Sequence, residues 1–121
     1  MSKTILHLDD EADIRDLLSA FLIGKGYRVI SASTLHEALD IVAHQPVDLL
    51  ITDLQLDEAD GLETIRRIRE KCPDTPVIIL TGVLVGPALA QETLGQEVAC
   101  YLEKTTPLAK IHAQVQRVLG E

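Results

Sequence analysis

The sequence predicts an α/β fold, a five-stranded parallel sheet with helices on both of its faces. Short aliphatic runs alternate with segments whose apolar residues recur at helical spacing, in the order βαβαβαβαβα, and the connections are long enough for right-handed crossovers. The 121 residues are 46% hydrophobic yet include one Phe, two Tyr and no Trp, so the core is built from Leu, Ile, Val and Ala. That composition suits strands buried on both faces. Four of the apolar runs end on a reactive polar residue: Ile5–Leu8 on Asp9 and Asp10, Val47–Thr52 on Asp53, Val77–Leu80 on Thr81, and Val98–Glu103 on Lys104. A chain of this length suits one domain over residues 1–121.

After the first run, Asp10 to Gly24 carries Ile14, Leu17, Leu18, Phe21 and Leu22, the i, i+3, i+4, i+7, i+8 stripe of a helix with one buried face. Gly24 and Gly26 end it. Tyr27 to Ser31 reads as a short strand. Thr34-Leu35-His36-Glu37 then has the form of a capping box, opening a helix with Leu35, Ala38, Leu39, Val42 and Ala43 inward until Pro46 stops it. The strand ending at Thr52 leads into an acidic loop through Asp57, Glu58 and Asp60. Asp60-Gly61 starts a helix with Leu62, Ile65, Ile68 and Cys72 inward, closed by Pro73. Beyond Thr81-Gly82, the residues Gly86-Pro87 and Gly95 leave room only for a short helix around Ala88 to Leu94. Thr106 as N-cap and Pro107 at the first helical position open a closing helix with Leu108, Ile111, Val115, Val118 and Leu119 buried. Among doubly wound sheets, this length fits the flavodoxin-like order 2-1-3-4-5, whose switch point lies between the first and third strands.

Ligands of open α/β sheets bind at the carboxyl edge, where all four polar endpoints gather. A nucleotide-binding protein has a Gly-rich first turn there; this chain has Asp9-Asp10-Glu11. Such carboxylates repel one another unless a cation neutralises them. As hard oxygen ligands they favour Mg²⁺, which needs one or two direct carboxylates and fills its other positions with water and substrate oxygens. Taken alone, Asp9 and Asp10 would read as helix caps, but Asp53 on the neighbouring strand turns the balance toward metal. Asp53 stands where a carboxylate can attack phosphorus, and Thr81 and Lys104 supply the hydroxyl and ammonium that phosphoryl transfer needs opposite a metal.

Asp9-Asp10-Glu11, Asp53, Thr81-Gly82 and Tyr101-Leu102-Glu103-Lys104 together resemble the receiver domain of bacterial two-component response regulators, along essentially the whole chain. The resemblance implies a signalling phosphoacceptor rather than an enzyme, although one that assists its own phosphorylation and dephosphorylation. Asp53 would accept a phosphoryl group from a histidine kinase or phosphotransfer protein. Mg²⁺ would be held by Asp10, Asp53 and the backbone carbonyl of Gln55, with Asp9 acting through water or weakly. Thr81 and Lys104 would hold the phosphoryl oxygens. Thr81 and Tyr101 would form the switch, its change reported to a downstream protein by the fourth helix, fifth strand and fifth helix, while the kinase meets the first helix and the loops around Asp53. Three departures from the family stand out. Asp57 replaces a common Pro, Thr105-Thr106-Pro107 replaces a Pro directly after the Lys so that the usual cis peptide is expected to be missing, and Gly95 to Val98 alters the turn before the last strand. Gln55 and Val83 border the position of the attacking water, and Val83 cannot orient it, so a long-lived acyl phosphate is expected.

Other functions fit less well. The charge of −8 leaves no basic face for nucleic acid, and Arg66, Arg67, Arg69 and Lys71 read as a solvated helix surface. No apolar run approaches the ~20 residues that cross a bilayer, and the start has no cleavable leader pattern, so a cytoplasmic protein without membrane insertion is expected, as a monomer or weak dimer. Cys72 and Cys100 read as reduced thiols, Cys100 in the core. A satisfied core histidine is expected at His7, and His36, His44 and His112 have no ligand spacing. A metal-dependent phosphatase with an Asp nucleophile would carry a second Asp at position 55, which is Gln, and a cap to enclose its substrate. A flavin or nucleotide carrier would need a Gly/Ser/Thr-rich first loop and ring-stacking aromatics. A degenerate receiver acting without phosphorylation would not keep the full set of acidic, hydroxyl and ammonium groups.

Overall fold

The computed structural model describes residues 2–53, 55–56, 59–82 and 98–121, without the side chains of 55–56 and 59–62. In chain order the elements are β1 (Thr4–Leu8), α1 (Ala12–Gly24), β2 (Arg28–Ala32), α2 (Leu35–His44), β3 (Leu49–Thr52), β4 (Gln55–Leu56), β5 (Ala59–Asp60), α3 (Gly61–Lys71), β6 (Val77–Thr81), β7 (Cys100–Glu103) and α4 (Leu108–Leu119). Five strands form one parallel sheet in the order β2-β1-β3-β6-β7. Numbered among themselves they run 2-1-3-4-5, as the sequence predicts.

The alternation of side chains along each strand divides the core into two layers. Leu6, Leu8, Leu50, Val77 and Ile79 face Leu35 and Ala38 of α2 and Ile65 and Ile68 of α3. Ile5, Leu49, Ile51, Ile78 and Leu80 face Leu18 and Leu22 of α1 and Ile111 and Val115 of α4. Most of these side chains are fully removed from water, each contributing roughly 1.5–3 kcal/mol. Both faces of the central strands must therefore be apolar. Apart from His7 inside β1, the buried polar residues of these strands enter where the strands run out.

Several boundaries move from the sequence reading. α1 starts at Ala12 because Asp9 Oδ1 accepts the backbone N–H of Glu11 at 2.9 Å, a local turn that precedes the helix. β3 starts at Leu49, since Asp48 is engaged sideways with Thr4 of β1 through both its N–H and its carboxylate at 2.8 Å. The closing helix takes Pro107 as N-cap, with no side-chain cap from Thr106, and begins at Leu108. Where an acidic loop was expected, Gln55–Leu56 and Ala59–Asp60 pair as a two-stranded antiparallel ladder. Thr34 behaves as predicted, its hydroxyl accepting the Glu37 N–H at 3.2 Å. The helix expected around Ala88 to Leu94, with Asp57, Val83 and Gly95, lies outside the described residues. No peptide bond among the described residues is cis, in line with the Thr105-Thr106-Pro107 departure. No described helix is long and apolar enough to cross a membrane.

Candidate functional site

Among the described residues, the buried polar side chains are His7, Asp9, Thr52, Asp53, Thr64, Thr75 and Thr81. Asp9, Thr52, Asp53 and Thr81 stand at or just past the carboxyl ends of β1, β3 and β6. Parallel pairing forces this convergence: Leu8 lies beside Thr52, so the next residues, Asp9 and Asp53, emerge together, while the Asp53 N–H donates to the Leu8 carbonyl at 3.2 Å. At the other side, Thr81 pairs with Glu103 and its carbonyl accepts the Lys104 N–H at 2.9 Å. That bond starts Lys104 back over the edge toward the carboxylates.

The Lys104 ammonium lies 2.7 Å from Asp53 Oδ2, 2.6 Å from Glu11 Oε1, and 3.1 and 3.0 Å from Asp9 Oδ1 and Oδ2. Its directed hydrogen bond to Asp9 goes to Oδ1, leaving Oδ2 buried with no donor aligned on it. Burial pulls the Lys104 pKa down, but the bonds from Asp53, Glu11 and Asp9 outweigh it and hold the ammonium above the usual lysine range. Burial raises the Asp9 carboxyl, aided by Asp53 and opposed by the Glu11 N–H and Lys104. Arg15 secures the turn from α1, Nη1 donating to the Asp9 carbonyl at 2.6 Å.

Carboxylate oxygens of Asp9, Asp10, Glu11 and Asp53 can all lie within 4.8 Å of one another. Four anions beside one ammonium leave excess negative charge; with Glu11 turned to Lys104, Asp9, Asp10 and Asp53 are the hard oxygen donors that line the cleft, one of them the buried Asp9 Oδ2, on which no donor is aligned. This donor set fits a divalent cation such as Mg²⁺. Gln55, whose backbone carbonyl was expected as a further ligand, opens β4 two residues past Asp53.

The structure thus brings together Asp9, Asp10, Asp53 and Lys104 as the sequence implied, with Thr81 fully buried at the end of the adjacent strand. Tyr101 is half-buried beside Ile79, packed on the layer beneath α2 and α3. His7 is buried as expected, but its Nδ1 has no hydrogen-bond partner, which corrects the expectation of a satisfied core histidine. Burial, with Lys104 and Arg15 nearby, lowers its pKa to about 4. Cys100 is half-buried, packed against the core layer beneath α1 and α4. Sequence reasoning named Glu11 only as one of the first turn's carboxylates, with no role toward Lys104, and gave Arg15 no part. The Glu11–Arg15 spacing of four hinted at a local pair, but Arg15 bonds the nearby turn backbone and Glu11 bonds Lys104, a contact visible only once β7 lies beside β6.

The model of the response regulator receiver domain family matches residues 5–116. Response regulator GtcR of Aneurinibacillus migulanus is 42% identical over 82 residues, covering 68% of this chain and 34% of its own. The chain spans about a third of that relative, and between 17% and 51% of the others compared. Among solved structures, the receiver domain of sensor histidine kinase PA1611 from Pseudomonas aeruginosa PAO1, with a magnesium ion coordinated in its active-site cleft, superposes at a TM-score of 0.85 with 27% identity over all of both chains. A response regulator protein from Burkholderia pseudomallei, bearing a phosphorylated aspartic acid, a calcium ion and citrate, matches at 0.85 and 27% over 98% of this chain and 69% of that one.

Proposed function

The chain belongs to the response regulator receiver domain family, and from that premise we propose that residues 1–121 act as one receiver unit in which Asp53 is the phosphoacceptor for a histidine kinase or phosphotransfer protein. The observation that carries this reading is the 2.7 Å contact of Lys104 with Asp53 inside a cluster of four carboxylates. In the transfer, a lone pair of the Asp53 carboxylate forms the new O–P bond. The bond from phosphorus to the donor breaks, and its electron pair leaves with the donor's imidazole nitrogen, or with acetate when acetyl phosphate is the donor.

Asp10, Asp53 and the Gln55 carbonyl would hold Mg²⁺, with Asp9 in support. A bound Mg²⁺ supplies neutralisation of charge on the phosphoryl oxygens. Lys104 supplies the complementary ammonium and keeps it charged, since its carboxylate neighbours hold its proton firmly. Thr81, buried at the strand end, is the hydroxyl that follows the phosphoryl group, and Tyr101 on the neighbouring strand moves with it, reporting to a downstream protein. A switch of this kind needs two packings of similar energy. The same groups would let the chain assist its own phosphorylation and dephosphorylation.

The test is intact-mass measurement after incubation with acetyl phosphate and Mg²⁺. One phosphoryl adduct, lost at high pH and missing in Asp53→Asn, is expected. An unaltered protein that gains no mass would refute the proposal.

A further inference from the structure

We propose that Glu11 is a rate-setting residue for phosphoryl acceptance: its carboxylate latches the Lys104 ammonium in the resting state and lets go of it before Lys104 can hold the transferred group. The inference rests on Asp53 being the acceptor.

Glu11 occupies the N-cap of α1 in extended conformation, and its side chain makes no cap bond to the helix. The carboxylate goes instead to Lys104 Nζ, at 2.6 Å the shortest contact of that ammonium. Its backbone is held on both sides: the N–H donates to Asp9 Oδ1 at 2.9 Å, and the carbonyl accepts the Arg15 N–H at 3.1 Å. The residue is therefore fixed at the lip of the site while its side chain remains 60% exposed.

An ammonium has three N–H donors, and here three carboxylates take them. A phosphoryl group on Asp53 places its oxygens beyond the carboxylate, so Lys104 must shift outward to follow them, and the contacts that anchor it must lengthen. Asp9 and Asp53 are 0% and 4% exposed and sit on strand ends; parting Lys104 from Asp9 would strand a buried carboxylate. Glu11 alone of the three can turn to water. Its contact is a weak, screened one, which suits a latch that must open.

The experiment compares the full chain with Glu11→Gln and Glu11→Asp in acetyl phosphate and Mg²⁺, reading adduct formation by intact mass, Mg²⁺ affinity by calorimetry, and solvent exchange of the Lys104 ammonium protons by ¹⁵N NMR without Mg²⁺. Glu11→Gln is expected to form adduct roughly threefold to fivefold faster, with Mg²⁺ affinity within about twofold and faster ammonium exchange. Glu11→Asp keeps the charge but shortens the reach and turns toward the helix N–H groups, so it should behave like Glu11→Gln. Adduct formation in the unaltered protein with no acceleration in Glu11→Gln overturns the latch and leaves the acceptor reading standing. Acceleration in Glu11→Gln alone overturns it in favour of simple repulsion of the anionic donor. A tenfold loss of Mg²⁺ affinity would make Glu11 a metal ligand instead, and failure of the unaltered protein to gain mass removes both readings.

Discussion

At the amino end of the sheet, polar groups meet in complementary pairs; at the carboxyl end, they compete. Thr4 and Asp48 exchange two hydrogen bonds at 2.8 Å, the Arg28 N–H reaches the Lys3 carbonyl at 2.9 Å, and the buried Tyr27 hydroxyl donates to the Glu121 carboxylate, its ring edge-on to His112. Burial, then Glu121, pushes the Tyr27 pKa up to about 12, so that proton stays where the bond needs it. Across the sheet, Asp9, Glu11 and Asp53 share one ammonium, and a buried oxygen of Asp9 has no aligned donor. The same strands run through both ends. One end is arranged for stability, and the other holds carboxylates together against their repulsion, an arrangement typical of functional sites.

The comparison is broken most directly at Lys104. Lys104→Met leaves Asp9 and Asp53 buried without their ammonium and should cost about 3–5 kcal/mol in urea melts at neutral pH, with Mg²⁺ restoring more stability to the variant than to the unaltered protein. An unchanged midpoint would mean that the carboxylates carry no burial cost.

Next in size is His7, on β1 two residues before Asp9. Its folded pKa of about 4 lies below the ordinary 6.5, so the unfolded chain takes up the proton first as pH falls. The sign follows: this contribution is fully present above about pH 6.5 and is lost on acidification through about pH 4, amounting to about 3 kcal/mol. Measured against His7→Leu, the unaltered protein should lose that much more stability between pH 7 and 4; parallel curves would show that His7 is solvated. The smallest effect belongs to the amino end. Tyr27→Phe should cost about 1 kcal/mol and leave the rate of adduct formation unchanged. A slower rate would couple the two ends and blur the distinction between them.

Fold and site were legible to different depths. Leu18 and Leu22 on α1, or Ile111 and Val115 on α4, declare their buried face through spacing alone, because a helix repeats every 3.6 residues. Asp9, Asp53 and Lys104 were legible because each follows an aliphatic run that has nowhere to go but the sheet interior. Pro107 as N-cap and the β4–β5 ladder were not, since one-residue shifts of a cap and a two-residue pairing involve energies too small to mark the sequence. The unsatisfied Nδ1 of His7 was hidden for another reason: whether a buried nitrogen finds a partner depends on Ser31 and Ile51, beside it in neighbouring strands.

By itself, the sequence determined the alternation of strands and helices, the two-sided core and the identity of the groups at the strand ends. These follow from local periodicity and from hydrophobic burial, which act on residues near in the chain. Only the tertiary structure decided which carboxylates share Lys104, that Glu11 is one of them, and that His7 Nδ1 is left without a hydrogen-bond partner. Those outcomes depend on contacts of a few ångströms between residues up to 95 positions apart, and electrostatic energies at such distances turn on placements that no local pattern encodes.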